Sequence, residues 1–124
     1  LKRYRARQHD ATLQSWGPDY PDPHTNASAF SMNADNSDGA STGGLAWRNA
    51  YDPGELHAKT EAAVMERDGE KRKAMYAEIQ EAHRTTSPFI VMFQIGYQTG
   101  LRANVDGFYI GAAIDSVAYW LITK

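Results

Sequence analysis

The sequence predicts a mixed α/β fold, a sheet with packed helices, without strict βαβ alternation. Three observations point there. Residues 52–85 hold two stretches with helical spacing of apolar side chains, joined by a tight Asp68-Gly69 link. Residues 89–101, "FIVMFQIGYQTGL", are rich in β-branched and aromatic residues and follow a Ser87-Pro88 break. The closing segment, "SVAYWLITK", is apolar and reads as strand-like or irregular. At 124 residues the chain fits one small domain or a piece of a larger one. A chain of this size buries roughly two-thirds of its unfolded surface, enough for a core.

Residues 1–8, "LKRYRARQ", read as the last turns of a helix. Residues 9–16 partly alternate and predict a short strand. Prolines 18, 21 and 23 then forbid a helix or a central strand through the loop that follows. Asp22 before Pro23 is an N-cap followed by proline at the first helical position, so a short helix runs toward Phe30. Residues 31–44, "SMNADNSDGASTGG", are small and polar, and predict a mobile surface loop. "DPGE" at 52–55 starts a better helix, with Asp52 as cap and Glu55 reaching back to it. Its stripe is Leu56, Thr60, Ala63, Val64 and Arg67. A second helix spans 70–85, with Met75, Tyr76, Ile79 and Ala82 inward, making an αα-hairpin. Residues 89–101 then form a buried strand, and "VDGFYIG" turns into a short one.

Charge and motifs exclude several functions. The net charge of −2 offers no global attraction for nucleic acid. Lys2, Arg3, Arg5 and Arg7 make the first eight residues +4 and the remaining 116 residues −6, which fits an exposed helix end. There are no cysteines, so disulfides and thiolate metal sites are excluded. No apolar run reaches the ~18 residues of a membrane span. His9, His24, His57 and His83 are scattered, with no metal-ligand spacing. There is no G-x-S-x-G elbow and no P-loop, and no cofactor is implied. The opening residues lack an initiator methionine and a signal sequence, which predicts a fragment whose natural N-terminus lies upstream.

The loop "SWGPDYPDPHTN", residues 15–26, carries the chemistry. Asp19 and Asp22 could make a carboxylate pair for hydrolysis, but Asp22 has a capping task. That leaves Asp19, beside Trp16 and Tyr20. A carboxylate moved out of water needs a partner, and a ligand ammonium is one. The alternative is a solvated loop aspartate.

Four stretches together carry a family resemblance. They are Ser15-Trp16-Gly17-Pro18-Asp19-Tyr20-Pro21-Asp22-Pro23, then Asn49-Ala50-Tyr51-Asp52-Pro53, then "RDGEKRKAMYAEIQEAHRTTSPFIVMFQ", then "RANVDGFYIG". In order and spacing they resemble the C-terminal end of the family 5 extracellular solute-binding proteins, the dipeptide and oligopeptide receptors of ABC importers. Ser15 replaces a glycine before the tryptophan, and the text around Trp47 and Arg48 falls outside the resemblance. The resemblance implies the C-terminal part of a periplasmic-binding-protein type II fold. Residues 1–93 would end the second ligand-binding lobe, and residues 94–124 would return toward the first. It implies a periplasmic protein, not an enzyme, that captures peptides and delivers them to a membrane permease. Asp19 would pair with the peptide ammonium, with Trp16 and Tyr20 beside it. The same family also carries nickel complexes, haem, opines and sugars, and a stand-alone interaction module is the other alternative. Strands severed from their partners would expose edges and favour self-association.

Overall fold

A computed structural model describes residues 1–96, 98–111 and 117–124. The element order is α1 (Lys2–Arg5), α2 (Pro23–Ser31), α3 (Leu45–Arg48), α4 (Glu55–Met65) and α5 (Gly69–Thr86), then a 3-10 turn at Tyr119–Leu121. The chain divides into two compact units: Leu1–Trp16 with Asp22–Phe89, and Gly17–Pro21 with Ile90–Lys124.

The first unit is helical. Asp68 caps α5 by accepting from the Lys71 amide at 2.8 Å, and Glu70 and Arg84 sit at the ends that the helix dipole favours. Glu66 closes the link from α4, accepting from the amides of Arg67 and Asp68 and from Lys71 Nζ. The two helices therefore form the hairpin expected from their spacing. Ala63 of α4 meets Tyr76 and Ile79 of α5, with Ala27 of α2 and Met75 against them. Alanine at the contact on two of the three helices lets the backbones approach closely. Thr60 is fully buried and is satisfied within its own helix, where Oγ1 donates to Leu56 O at 2.7 Å. Val64, expected inward, is exposed.

Helix α4 begins two residues later than its sequence predicts. Gly54 takes φ +54°, which no helix accommodates, so Asp52 closes a local turn on the Gly54 amide instead of capping. The expected mobile loop at 31–44 is instead tied down. Arg7 lies over the Trp47 ring at 4.8 Å and donates to Asn36 O, Asn36 Oδ1 and Asp38. Trp47 is buried and donates to Ser37 O, while Asn33 donates to Tyr51 O. The polar side chains that mark this stretch as a loop are the ones that fasten it.

The mixed α/β prediction is wrong, and with it the type II binding-protein fold. Among the described residues there is no strand longer than an isolated bridge. Those bridges, Asp106 with Thr123 and Ile110 with Val117, are antiparallel and lie in the second unit. Residues 9–16 form no strand, and 89–96 and 98–101 lack regular structure. Tyr97 and Ser116, within the predicted strands, lie outside the described residues. The physical reason is that strand propensity measures packing against neighbouring strands. Residues 90–96 find no backbone hydrogen-bond partner among the described residues. In the second unit Gly107, at φ +75°, approaches the Leu121 carbonyl so closely that a Cβ would overlap it.

Truncating the three-helix contact is a direct test of this core. Ile79→Ala is expected to lower the unfolding free energy by about 2–4 kcal/mol in urea titrations followed by helical circular dichroism. A change below about 1 kcal/mol would show that the hairpin does not depend on this packing.

Candidate functional site

The proline loop runs through both units. Trp16 belongs to the first unit. Its indole Nε1 donates to Asn26 Oδ1 at 2.8 Å, and its ring meets Phe30 edge-on at 5.6 Å. It remains 46% exposed. Asp19 and Tyr20 belong to the second unit. Tyr20 is 52% exposed. Asp19 is exposed and forms no ion pair or hydrogen bond among the described residues.

Asp22 is fully committed to structure, as its sequence position predicts. Its carboxylate accepts from the His24 amide at 2.8 Å, capping α2, and from Arg72 Nη2 at 2.9 Å on α5. Arg72 lies over the Tyr76 ring at 4.8 Å, and the Tyr76 hydroxyl is 3.0 Å from His24 Nδ1. This network joins the start of α2 to α5. The Arg72 guanidinium first, and then the His24 amide, hold the Asp22 carboxyl below the ordinary aspartate range. A general acid must hold a proton near neutral pH, and Asp22 is driven the other way.

An aromatic cluster adjoins Trp16. Phe30 packs edge-on against Phe89 at 5.0 Å and against His83 at 6.1 Å. His83 stacks on Phe89 at 5.6 Å, and Tyr51 closes the group edge-on to both. Tyr51 and Thr86 share a hydroxyl hydrogen bond at 3.1 Å. His83 Nδ1 lies 3.3 Å from Ser87 Oγ, and Nε2 is buried with no well-formed hydrogen bond among the described residues. Burial pushes the imidazole below its ordinary value of 6.5, opposed more weakly by the Phe30 backbone. Sequence reasoning passed over this cluster. The available signal was helical spacing, since Tyr76, Ile79 and His83 fall on one face of α5.

Among the described residues, no three His, Asp or Glu side chains are placed to share a metal ion. Two shallow depressions open on the first unit. One of about 550 Å³ lies between α1 and Trp47, and one of about 310 Å³ lies beside Tyr51 and Leu56. Neither is lined by Trp16, Asp19 or Tyr20.

The two loop carboxylates should separate on substitution. Asp22→Ala is expected to cost about 1–2 kcal/mol of stability through the lost cap and ion pair, and Asp19→Ala less than about 0.5 kcal/mol. Equal costs in denaturant unfolding would refute the division of roles. For pH, both shifts act in one direction. The Asp22 contribution is present above the ordinary aspartate pKa and is lost as pH falls through its lowered value. The His83 contribution is present above 6.5 and is lost as pH falls through its lowered value. Stability should therefore decline as the pH falls below 6.5, and His83→Phe should flatten that part of the decline. An unchanged slope in the variant would exclude His83 as its source. Comparison of the chain with protein-family models, curated proteins and solved structures finds no match.

Proposed function

We propose that the chain is the C-terminal part of a solute-binding protein of an ABC importer, capturing peptides in the periplasm through a salt bridge from Asp19 to the ligand ammonium. The observation that supports this reading is the division of labour within the loop. Asp22 is occupied by α2 and Arg72, whereas Asp19 has no partner among the described residues. Asp19 is exposed, the solvated arrangement that stands as the alternative to a pocket carboxylate, so the support for this reading is its lack of a competing partner among the described residues. Prolines 18 and 21 on either side limit the backbone states it must lose on binding. The hydrolase alternative needs a second free carboxylate, and Asp22 does not supply it. The likeness in residue order to family 5 receptors gives the ligand class, and the membrane permease is the partner it entails.

The test is a binding measurement on the full-length protein that carries this segment. Asp19→Asn should weaken peptides with a free N-terminus by about tenfold or more, the ~1.4 kcal/mol or greater of a charge-assisted hydrogen bond. N-acetylated peptides should bind both forms alike. Equal loss for both peptide classes, or no loss, would refute the ammonium contact. On this reading the 124-residue chain would supply part of the receptor, so alone it is expected to show weak or no peptide binding by calorimetry.

A further inference from the structure

Three aspartates of the chain precede glycine: Asp38, Asp68 and Asp106. In such a pair the amide nitrogen that follows the aspartate has no neighbouring Cβ to shield it from the carboxyl group. The structure holds the three carboxylates differently. Asp38 Oδ1 lies 3.1 Å from Arg7 Nη1 in an ion pair. Asp68 Oδ1 caps α5, accepting from the Lys71 amide. Of the three, only Asp106 turns back on its own neighbour, where the Gly107 amide donates to its Oδ1 at 2.7 Å. That contact sets the carboxyl carbon at roughly the 3–3.5 Å of a near-attack arrangement. Asp106 is exposed, so water reaches it. Its backbone is held by one bridge: its amide donates to Thr123 O at 3.2 Å, and the Thr123 amide donates to Asp106 O at 3.0 Å. An isolated pair of hydrogen bonds opens locally at little cost, which gives the main chain the freedom that ring closure needs.

We infer that Asp106-Gly107 is a site of self-modification, at which the Gly107 nitrogen attacks the Asp106 carboxyl to form a succinimide and then an isoaspartyl linkage. The chemistry needs no co-reactant but water. A bond forms between Gly107 N and Asp106 Cγ. The C–OH bond of the protonated carboxyl breaks, and its hydroxyl leaves as water with the amide proton. Hydrolysis then returns one water to either carbonyl of the ring. Addition at the main-chain carbonyl routes the backbone through Cγ, lengthens it by one methylene and frees an α-carboxylate. The bridge to Thr123 is lost with that change, because the Asp106 carbonyl no longer stands in the main chain. Glycine is required at 107, since a Cβ there would overlap the Leu121 carbonyl. The close approach and the reactivity therefore come from the same missing side chain. The product is of the class that an isoaspartyl methyltransferase esterifies, at the new α-carboxylate. This inference does not rest on the solute-capture proposal.

The three Asp-Gly pairs test the inference within one molecule. The 124-residue chain is aged in neutral buffer at physiological temperature and mapped by mass spectrometry with electron-transfer fragmentation. Methyl incorporation by an isoaspartyl methyltransferase is the second readout. Isoaspartate is expected at Asp106 at a rate roughly tenfold or more above Asp38 and Asp68. In concentrated urea the ion pair, the cap and the Gly107 contact are all gone, and the three rates should agree within about threefold. The Thr123 amide of the modified chain should exchange with solvent faster, with exchange in α5 unchanged. Native rates at Asp38 or Asp68 equal to that at Asp106 would overturn the inference. So would the same tenfold ranking in urea, which traces the difference to neighbouring residues rather than to the fold, or a Thr123 exchange rate that modification leaves unmoved.

Discussion

Arg72 is the residue on which the helical unit turns. From α5 it reaches the carboxylate that caps α2, and its guanidinium lies over Tyr76 one turn further along its own helix. Tyr76 in turn meets His24 through its hydroxyl and belongs to the buried cluster with Ala63 and Ile79. A partly exposed ion pair on its own contributes at most about 1 kcal/mol. Here the same contact orients a helix start, an aromatic ring and a histidine together. Its value lies in fixing where α2 sits on the hairpin, and therefore where Ala27 packs.

Helices α2, α4 and α5 were legible in the residues because their determinants are local, whereas the short α3 was not foreseen. Asp22-Pro23 marks a helix start whose capping oxygen engages a nearby amide, and the Asp68-Gly69 link expected between the helices also caps the second of them. Tyr76 and Ile79 were recognisable as inward by spacing alone. Gly54 shows the limit: its positive φ moves a helix start by two residues, and nothing in "DPGE" distinguishes that outcome from a capping box. The sheet was misjudged for a non-local reason. "FIVMF" has the composition of a buried strand, but burial requires partners that composition does not supply. In the candidate site, the spare role of Asp19 followed from the structural duty of Asp22. The ring cluster around His83 did not, because Phe30, Tyr51 and Phe89 converge from distant positions.

The proline loop illustrates how stiffness and exposure combine. Trp16 is fastened to Asn26 and Phe30, and Asp22 to α2 and Arg72, so the residues between them are anchored at both ends. Pro18 and Pro21 restrict the remaining backbone. The exposed carboxylate of Asp19 therefore sits on a segment with few conformations to lose. This is an economical way to present a charge without burying it.

The contact between Arg7 and the 36–38 loop joins residues 29 and 31 positions apart, and the Arg72–Asp22 contact spans 50. Each is a long closure whose entropy must be offset by contacts that exist only when both ends are present. During synthesis, α2 and its capping aspartate leave the ribosome well before α5 exists. Until Arg72 and Tyr76 emerge, α2 has only α3 and α4 to rest on, without the ion pair and ring that hold its start. The helical unit therefore completes only with α5, and nascent chains stalled before it would remain more open to chaperones and proteases.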